Sequence, residues 1–265
     1  RRAGQPPGSG VSSLGRVMRY ASTNDTIAAI STPPGEGGIG IVRLSGSGAM
    51  EIAAGMFASS KGRDICSGSQ RVFHGHVHDA AGASIDEVLL HVMRGPHSYT
   101  AEDVVEFNAH GGTAPLNAIL EETLRRGARL AGPGEFTLRA FLNGRMDLTR
   151  AEAVIDLVRA KTRTALAAAN ATADGILSKA LHELRETLAD ALARVEAAVD
   201  FPEEDLPELV DAALVTRLEE ARGRMAALLD SADAGMRIRE GIALAIVGRP
   251  NVGKSSLFNA LLRDA

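Results

Sequence analysis

An uninterrupted apolar run, Ile242-Ala243-Leu244-Ala245-Ile246-Val247, leads straight into Gly248-Arg249-Pro250-Asn251-Val252-Gly253-Lys254-Ser255. No other feature restricts the fold of this chain so tightly. An apolar run of this kind suits a strand buried on both faces of a parallel sheet. The octapeptide after it fits G-x-x-x-x-G-K-[ST] without a mismatch, and Leu257-Phe258-Asn259-Ala260-Leu261-Leu262 then reads as a helix. Strand, glycine loop and helix in that order are the setting of a phosphate-binding loop. Its glycines let backbone N–H groups face phosphate oxygens, and the helix presents its unpaired N–H groups to the same anion. Lys254 adds a charge at the β- and γ-phosphates, and the Ser255 hydroxyl completes a Mg²⁺ shell. The nucleotide-contacting set is therefore Gly248, Asn251, Val252, Gly253, Lys254, Ser255 and Ser256. A glycine turn that merely happens to carry Lys-Ser is the plain alternative.

Only 11 residues follow Lys254. A parallel nucleotide-binding sheet needs several more β-α units, so residues 238–265 are expected to be the start of an incomplete P-loop domain. On that reading the chain holds no catalytic residue for hydrolysis, and alone it neither hydrolyses nucleotide nor binds it tightly.

A length of 265 residues gives a prior of roughly two domains. Apolar residues at 45% and charged residues at 23% exclude wholesale disorder, a collagen-like fibre and a membrane bundle. No stretch approaches the roughly 18 uninterrupted apolar residues of a spanning helix, so no membrane partner is expected. The single cysteine, Cys66, excludes an intrachain disulfide and a Cys-clustered zinc site, and reads as an ordinary buried thiol. With 29 basic against 33 acidic side chains the net charge is −4, so any RNA contact must be local or made with a partner's help. Aromatic content of 3%, without Trp, leaves a core of Ala, Leu, Val and Ile and little for base-stacking platforms.

Residues 1–24 hold Pro6-Pro7, four glycines, four serines and four arginines, and no acidic residue. They are expected to be a disordered N-terminal extension, whether an upstream addition to a start near Met18 or an organelle transit peptide. Residues 25–145 then mix short strands and helices as in an α+β domain. Strands are expected over Thr26–Ser31, Ile39–Leu44, Arg71–Asp79, Val88–Met93 and Val104–Phe107, with helices over Ala49–Ala58 and Leu116–Leu124. From residue 146 to 237 the pattern is all-α, and residues 151–200 contain fifteen alanines. Leu177, Leu184, Ala191 and Ala198 form one heptad row beside a second of Leu181, Leu188 and Val195, as on a helix packed lengthwise against neighbours. A second amphipathic run carries Leu214, Leu218, Met225 and Leu228, and an acidic break, Glu203-Glu204-Asp205, separates the two.

The strings around these elements carry a resemblance. Asp25-Thr26-Ile27-Ala28-Ala29, Thr32-Pro33-Pro34-Gly35, Gly37-Gly38-Ile39-Gly40-Ile41-Val42-Arg43, Gly95-Pro96-His97-Ser98-Tyr99-Thr100-Ala101-Glu102-Asp103 and His110-Gly111-Gly112 are similar to the start of the MnmE (TrmE) family of tRNA-modification GTPases. Pro133-Gly134-Glu135-Phe136-Thr137, Arg139-Ala140-Phe141-Leu142-Asn143-Gly144 and Asp200-Phe201-Pro202-Glu203-Glu204 continue it. The phosphate loop alone also resembles the Era and Der ribosome-assembly GTPases, and a ribosome-assembly GTPase of that type is the alternative reading. The family resemblance implies a tetrahydrofolate-binding first domain that makes a homodimer, a helical domain, and a G domain. It further implies GTP, Mg²⁺ and K⁺, a 5-formyl- or 5,10-methylene-tetrahydrofolate donor, and an MnmG-like flavoprotein partner in a heterotetramer. The implied reaction adds an aminomethyl or carboxymethylaminomethyl group to C5 of the wobble uridine of certain tRNAs. The setting is cytoplasmic, with a mitochondrial or plastid matrix as the alternative.

Carried onto this chain, the resemblance places folate contacts at Arg43, Glu106 and Arg145, the last where the family often has Lys. An arginine fork suits the glutamate carboxylate of a folate, and a carboxylate such as Glu106 suits the N–H donors of the pterin edge. Asn251 matches the family's K⁺-ligating asparagine, and Ser255 serves Mg²⁺. His74, His76 and His78 alternate along one strand face and read as solvated before they read as metal ligands. His110 reads equally as a ligand contact or a turn residue.

Overall fold

In the computed structural model the described residues are 25–67, 70–200, 211–240 and 244–262. They fall into two compact units that divide between Ala151 and Glu152.

Alternation of apolar and polar side chains builds the first unit. Its strands are β1 (Ile27–Ile30), β2 (Gly37–Ser45), β3 (Phe57–Ser59), β4 (Arg71–His78), β5 (Ser84–Met93), β6 (Val104–Gly111) and β7 (Arg129–Leu130). They form one seven-stranded sheet in the order β3-β4-β5-β6-β2-β1-β7, antiparallel except for the β1–β7 pair. Successive strand residues face opposite sides, and the register stacks Phe73, Leu90, Phe107 and Val42 across β4, β5, β6 and β2 on one side. All four are buried. Helices α1 (Ala49–Met56) and α2 (Thr113–Arg125) cover this face, contributing Ile52, Ala53, Met56, Leu116 and Ile119 to the core. The opposite face presents Arg43, Glu106 and His91 in one cross-strand row, and Ile41, Asn108 and Leu89 in the next. None of these six is buried.

The strands expected from the sequence form, but β5 and β6 run longer than their apolar stretches, because polar and glycine positions still pair in the ladder. The short edge strands β3 and β7 and the helix α3 (Glu135–Leu142) were not expected from the sequence; the two strands are set by the partners they pair with. Cys66 is exposed and not a buried thiol, since it follows the buried Ile65 in a turn whose backbone bonds Asp64 and Arg94.

The second unit is helical: α4 (Leu148–Arg159, entering from the first unit), α5 (Arg163–Ala173), α6 (Ile176–Asp200), α7 (Ala212–Glu240) and α8 (Lys254–Leu262). Thr162 caps α5 by accepting the Ala165 N–H at 3.1 Å. Of the two heptad rows on α6, only the first is buried, through Leu184 and Ala191, while Leu181, Leu188 and Val195 stay exposed. The packed row faces α7, where Leu214 and Ala221 are buried, and Arg217–Asp190 and Arg224–Glu183 link the pair in antiparallel order. The acidic break lies outside the described residues, as do residues 1–24. The strand expected over Ile242–Val247 is not formed where it is described: residues 244–247 pair with nothing, and Val247 is 90% exposed. A strand of that composition needs parallel neighbours on both sides, and none is present among the described residues.

Gly111 sits opposite Gly37 in the β2–β6 ladder, and a Cβ there would lie 2.5 Å from the Gly37 carbonyl oxygen. That backbone contact accounts for the first glycine of His110-Gly111-Gly112. Gly111→Ala is expected to lower the unfolding free energy by about 1–3 kcal/mol in urea titration, because the clash is with main chain and cannot be relieved by a rotamer change.

Candidate functional site

The open sheet face gathers the folate-assigned residues. Arg43 on β2 and Glu106 on β6 are register partners, and Arg43 Nε donates to Glu106 Oε1 at 2.6 Å. The pair is partly buried, with side-chain exposures of 26% and 14%. Among the described residues the two Nη groups of Arg43 meet no protein acceptor, and Glu106 Oε2 accepts no protein hydrogen bond. The Arg43 guanidinium lies 5.6 Å from the Tyr99 ring centre and 5.5 Å from that of Phe136. Arg145, exposed just beyond α3, lies 5.1 Å from the same Tyr99 ring. Its side chain makes no ion pair or hydrogen bond with protein among the described residues. Arg43 and Arg145, 102 positions apart in sequence, thus meet at one ring, with Glu106 joined to the first of them. The sequence reading gave Arg43 a carboxylate and Glu106 a pterin edge; as a contacting pair they must instead meet the same end of any ligand.

A buried ion network holds this arrangement. Arg139 on α3 is 2% exposed; it donates to the Asp25 carboxylate, to the Asp25 carbonyl at 2.8 Å and to Glu102 at 3.3 Å. Arg129 joins Asp25 at 2.6 Å and Glu135 at 2.5 and 3.0 Å, and the Gly132 N–H completes the Glu135 carboxylate at 2.7 Å. Ser45 donates to Glu102 Oε2 at 2.6 Å and shares a hydrogen bond with Thr100. The Tyr99 hydroxyl contacts Thr137 Oγ1 at 2.9 Å, and Asn143 donates to the Thr100 carbonyl at 2.7 Å. Burial on its own would raise the Asp25 and Glu135 carboxyls. The arginine hydrogen bonds, and for Glu135 the Gly132 N–H, outweigh it and hold both below their ordinary values. None of Asp25, Tyr99, Glu102, Glu135, Phe136 or Arg139 was given a role from the sequence, although every one lies within a string that carried the resemblance.

The second assigned site is local. The chain turns through Gly248–Gly253 and enters α8 at Lys254. Asn251 and Gly253 both take left-handed backbone, φ 57° and 93°, a conformation that asparagine tolerates and glycine favours. Lys254 Nζ donates to the Gly248 and Arg249 carbonyls at 3.1 and 2.8 Å, so the ammonium sits inside the curl of the loop. Ser255 and Ser256 occupy the first turn of α8, where helical N–H groups lack intrahelical acceptors. This is an anion-cradling geometry.

The remaining candidates resolve otherwise. The His110 carbonyl accepts the Gly112 N–H at 2.9 Å in the turn that ends β6, while its own N–H and its Nδ1 both engage Asp86, at 2.8 and 2.7 Å. The hydrogen bond with Asp86 and then its charge raise the His110 pKa above 6.5. His74 pairs with Glu87 at 2.7 Å, and no group of three or more metal-ligating side chains exists among the described residues. No helix among them is long and apolar enough to cross a membrane.

Two family models match the chain. Residues 26–145 match the model described as the GTP-binding protein TrmE N-terminus, and residues 148–264 match the MnmE helical domain. Curated relatives called tRNA modification GTPase MnmE include those of Levilactobacillus brevis and Geobacillus thermodenitrificans, each 51% identical over 243 residues, and of Chloroflexus aurantiacus, 52% identical over 241. Each alignment takes in 91% of this chain and 52–53% of the relative, so the chain spans about half the length of the relatives it matches. The ribosome-assembly alternative required residues 25–145 to be of another kind, and the match over 26–145 removes it.

In the unfolded chain Asp25 and Glu135 titrate near 3.8 and 4.5, above their folded values. Their stabilisation is therefore complete above about pH 5 and is lost as the pH falls toward the folded values. The thermal midpoint should drop across that acid window. Arg139→Ala should cost about 3–5 kcal/mol at neutral pH by stranding buried carboxylates, and should flatten the acid dependence. A separate proton NMR titration should find the His110 ring titrating above 6.5 and falling back toward it in Asp86→Asn.

Proposed function

The chain belongs to the MnmE (TrmE) family, and from that premise we propose that it is the folate-binding and helical portion of a tRNA-modification GTPase, carrying also its phosphate loop. The whole protein, with an MnmG-like flavoprotein, adds an aminomethyl or carboxymethylaminomethyl group to C5 of the wobble uridine of certain tRNAs. A reduced folate supplies the one-carbon unit, and K⁺-dependent GTP hydrolysis drives the cycle. Bacterial relatives support a cytoplasmic setting.

The observation that carries the folate reading is the Arg43–Glu106 pair beside Tyr99 and Arg145. Its donor set fits a reduced pterin: Arg43 keeps its Nη donors for a ring carbonyl or nitrogen, and Glu106 keeps one oxygen for the N–H edge. The flanking Tyr99 and Phe136 rings supply apolar walls. Arg145, charged and without a protein acceptor among the described residues, suits the carboxylate end of the same ligand. At the phosphate loop, Gly248, Val252, Gly253, Lys254 and Ser256 hold the GTP phosphates, Ser255 holds Mg²⁺ and Asn251 holds K⁺. There Lys254 must exchange its two carbonyl partners for phosphate oxygens. The domain containing Arg43 and Glu106 also makes the homodimer.

Equilibrium dialysis of the 265-residue chain against 5-formyltetrahydrofolate tests the reading. Retention is expected, with Arg43→Ala and Glu106→Ala each weakening it about tenfold or more. Absence of retention by a folded chain would remove the one-carbon assignment and leave the family relationship standing.

A further inference from the structure

Tyr99 is one of two tyrosines in the chain, and its ring is shared by two guanidiniums that belong to different elements. Arg43 reaches it from the middle of the sheet, and Arg145 reaches it from the turn after α3. Two cations gathered at one place repel each other, and among the described residues Glu106 is ion-paired only with Arg43. The negative face of an aromatic ring offsets that repulsion without using up a hydrogen-bond donor. Tyr99 is itself fixed: its hydroxyl contacts Thr137 on α3, and the next residue, Thr100, is buried between Ser45 and Asn143. Phe136 closes over Arg43 as a second ring.

We propose that Tyr99 is a positioning residue of the folate site, one ring that sets Arg43 at the pterin end and Arg145 at the carboxylate end of a single reduced folate. This rests on the folate reading above. Without the ring, Arg43 remains tethered to Glu106 by one hydrogen bond, whereas Arg145 has nothing among the described residues to hold its side chain. Tyr99 therefore acts mainly through Arg145. Its hydroxyl serves the ring's orientation and is dispensable by comparison, which separates this role from direct hydrogen bonding to ligand.

The test is binding of 5-formyltetrahydrofolate to the 265-residue chain by isothermal calorimetry. Tyr99→Leu should weaken binding about tenfold, and Tyr99→Phe should stay within about threefold of the parent. Tyr99→Leu combined with Arg145→Ala should lose less than the product of the two single losses, because Arg145 is the group the ring positions. A merely structural role would instead give losses that multiply, and that result overturns the proposal. So does Tyr99→Leu binding within threefold of the parent. Should circular dichroism show Tyr99→Leu unfolded, Tyr99→Met supplies a ringless side chain that fills the same space, with the same expected and contrary outcomes. No binding by the folded parent chain would instead sink the folate reading itself, a result distinct from parent binding that ignores the ring.

Discussion

Arg139 is the largest fully buried side chain among the described residues, and its guanidinium is the point on which the first unit is assembled. It draws together Asp25 ahead of β1, Glu102 ahead of β6 and Glu135 at the start of α3, three segments far apart in the chain. A buried charge is tolerated only when its partners are in place, so the network is close to all-or-none. Ordering it sets the turn carrying Tyr99 and the helix carrying Phe136 against the open sheet face. The hydrophobic core on the other face, built from Val42, Leu90, Phe107 and the helices above them, stabilises the sheet. It has no means of deciding where those two rings go.

The geometry that results has an electrostatic consequence. Arg43 and Glu106 neutralise one another through a single oxygen, leaving donors on one side and an acceptor on the other. Such a pair reads a heterocycle edge better than it binds an anion. The excess positive charge is Arg145, exposed and near the same Tyr99 ring. On the proposed folate reading, the pterin and glutamate ends of the ligand would meet different chemistry at the two arginines that share this ring.

Legibility differed between the two candidate sites for a physical reason. The phosphate loop is a local device: eight contiguous residues spell out the motif and announce a helix after it, although the left-handed positions Asn251 and Gly253 and the helix start at Lys254, ahead of the expected Leu257, came only from the structure. The apolar run before it was also read as a strand, but a strand exists only in a ladder, and residues 244–247 have no partner strand among the described residues. The α6 heptads show the same limit. Periodicity identified both rows, while the available neighbour decided that Leu184 and Ala191 are buried and that Leu188 is not.

From the sequence alone came the α+β and helical halves and the phosphate loop, because motif and period are encoded in adjacent positions, while the family and the three folate-assigned residues came through the resemblance its strings carry. Only the tertiary structure decided that Arg43 and Glu106 touch, that the Tyr99 and Phe136 rings lie beside Arg43, and that a buried Arg139 ties together the segments carrying those rings. Those contacts join segments up to 114 residues apart. They arise from strand register and from the need of each buried charge for a partner, and neither has a local signature in the chain.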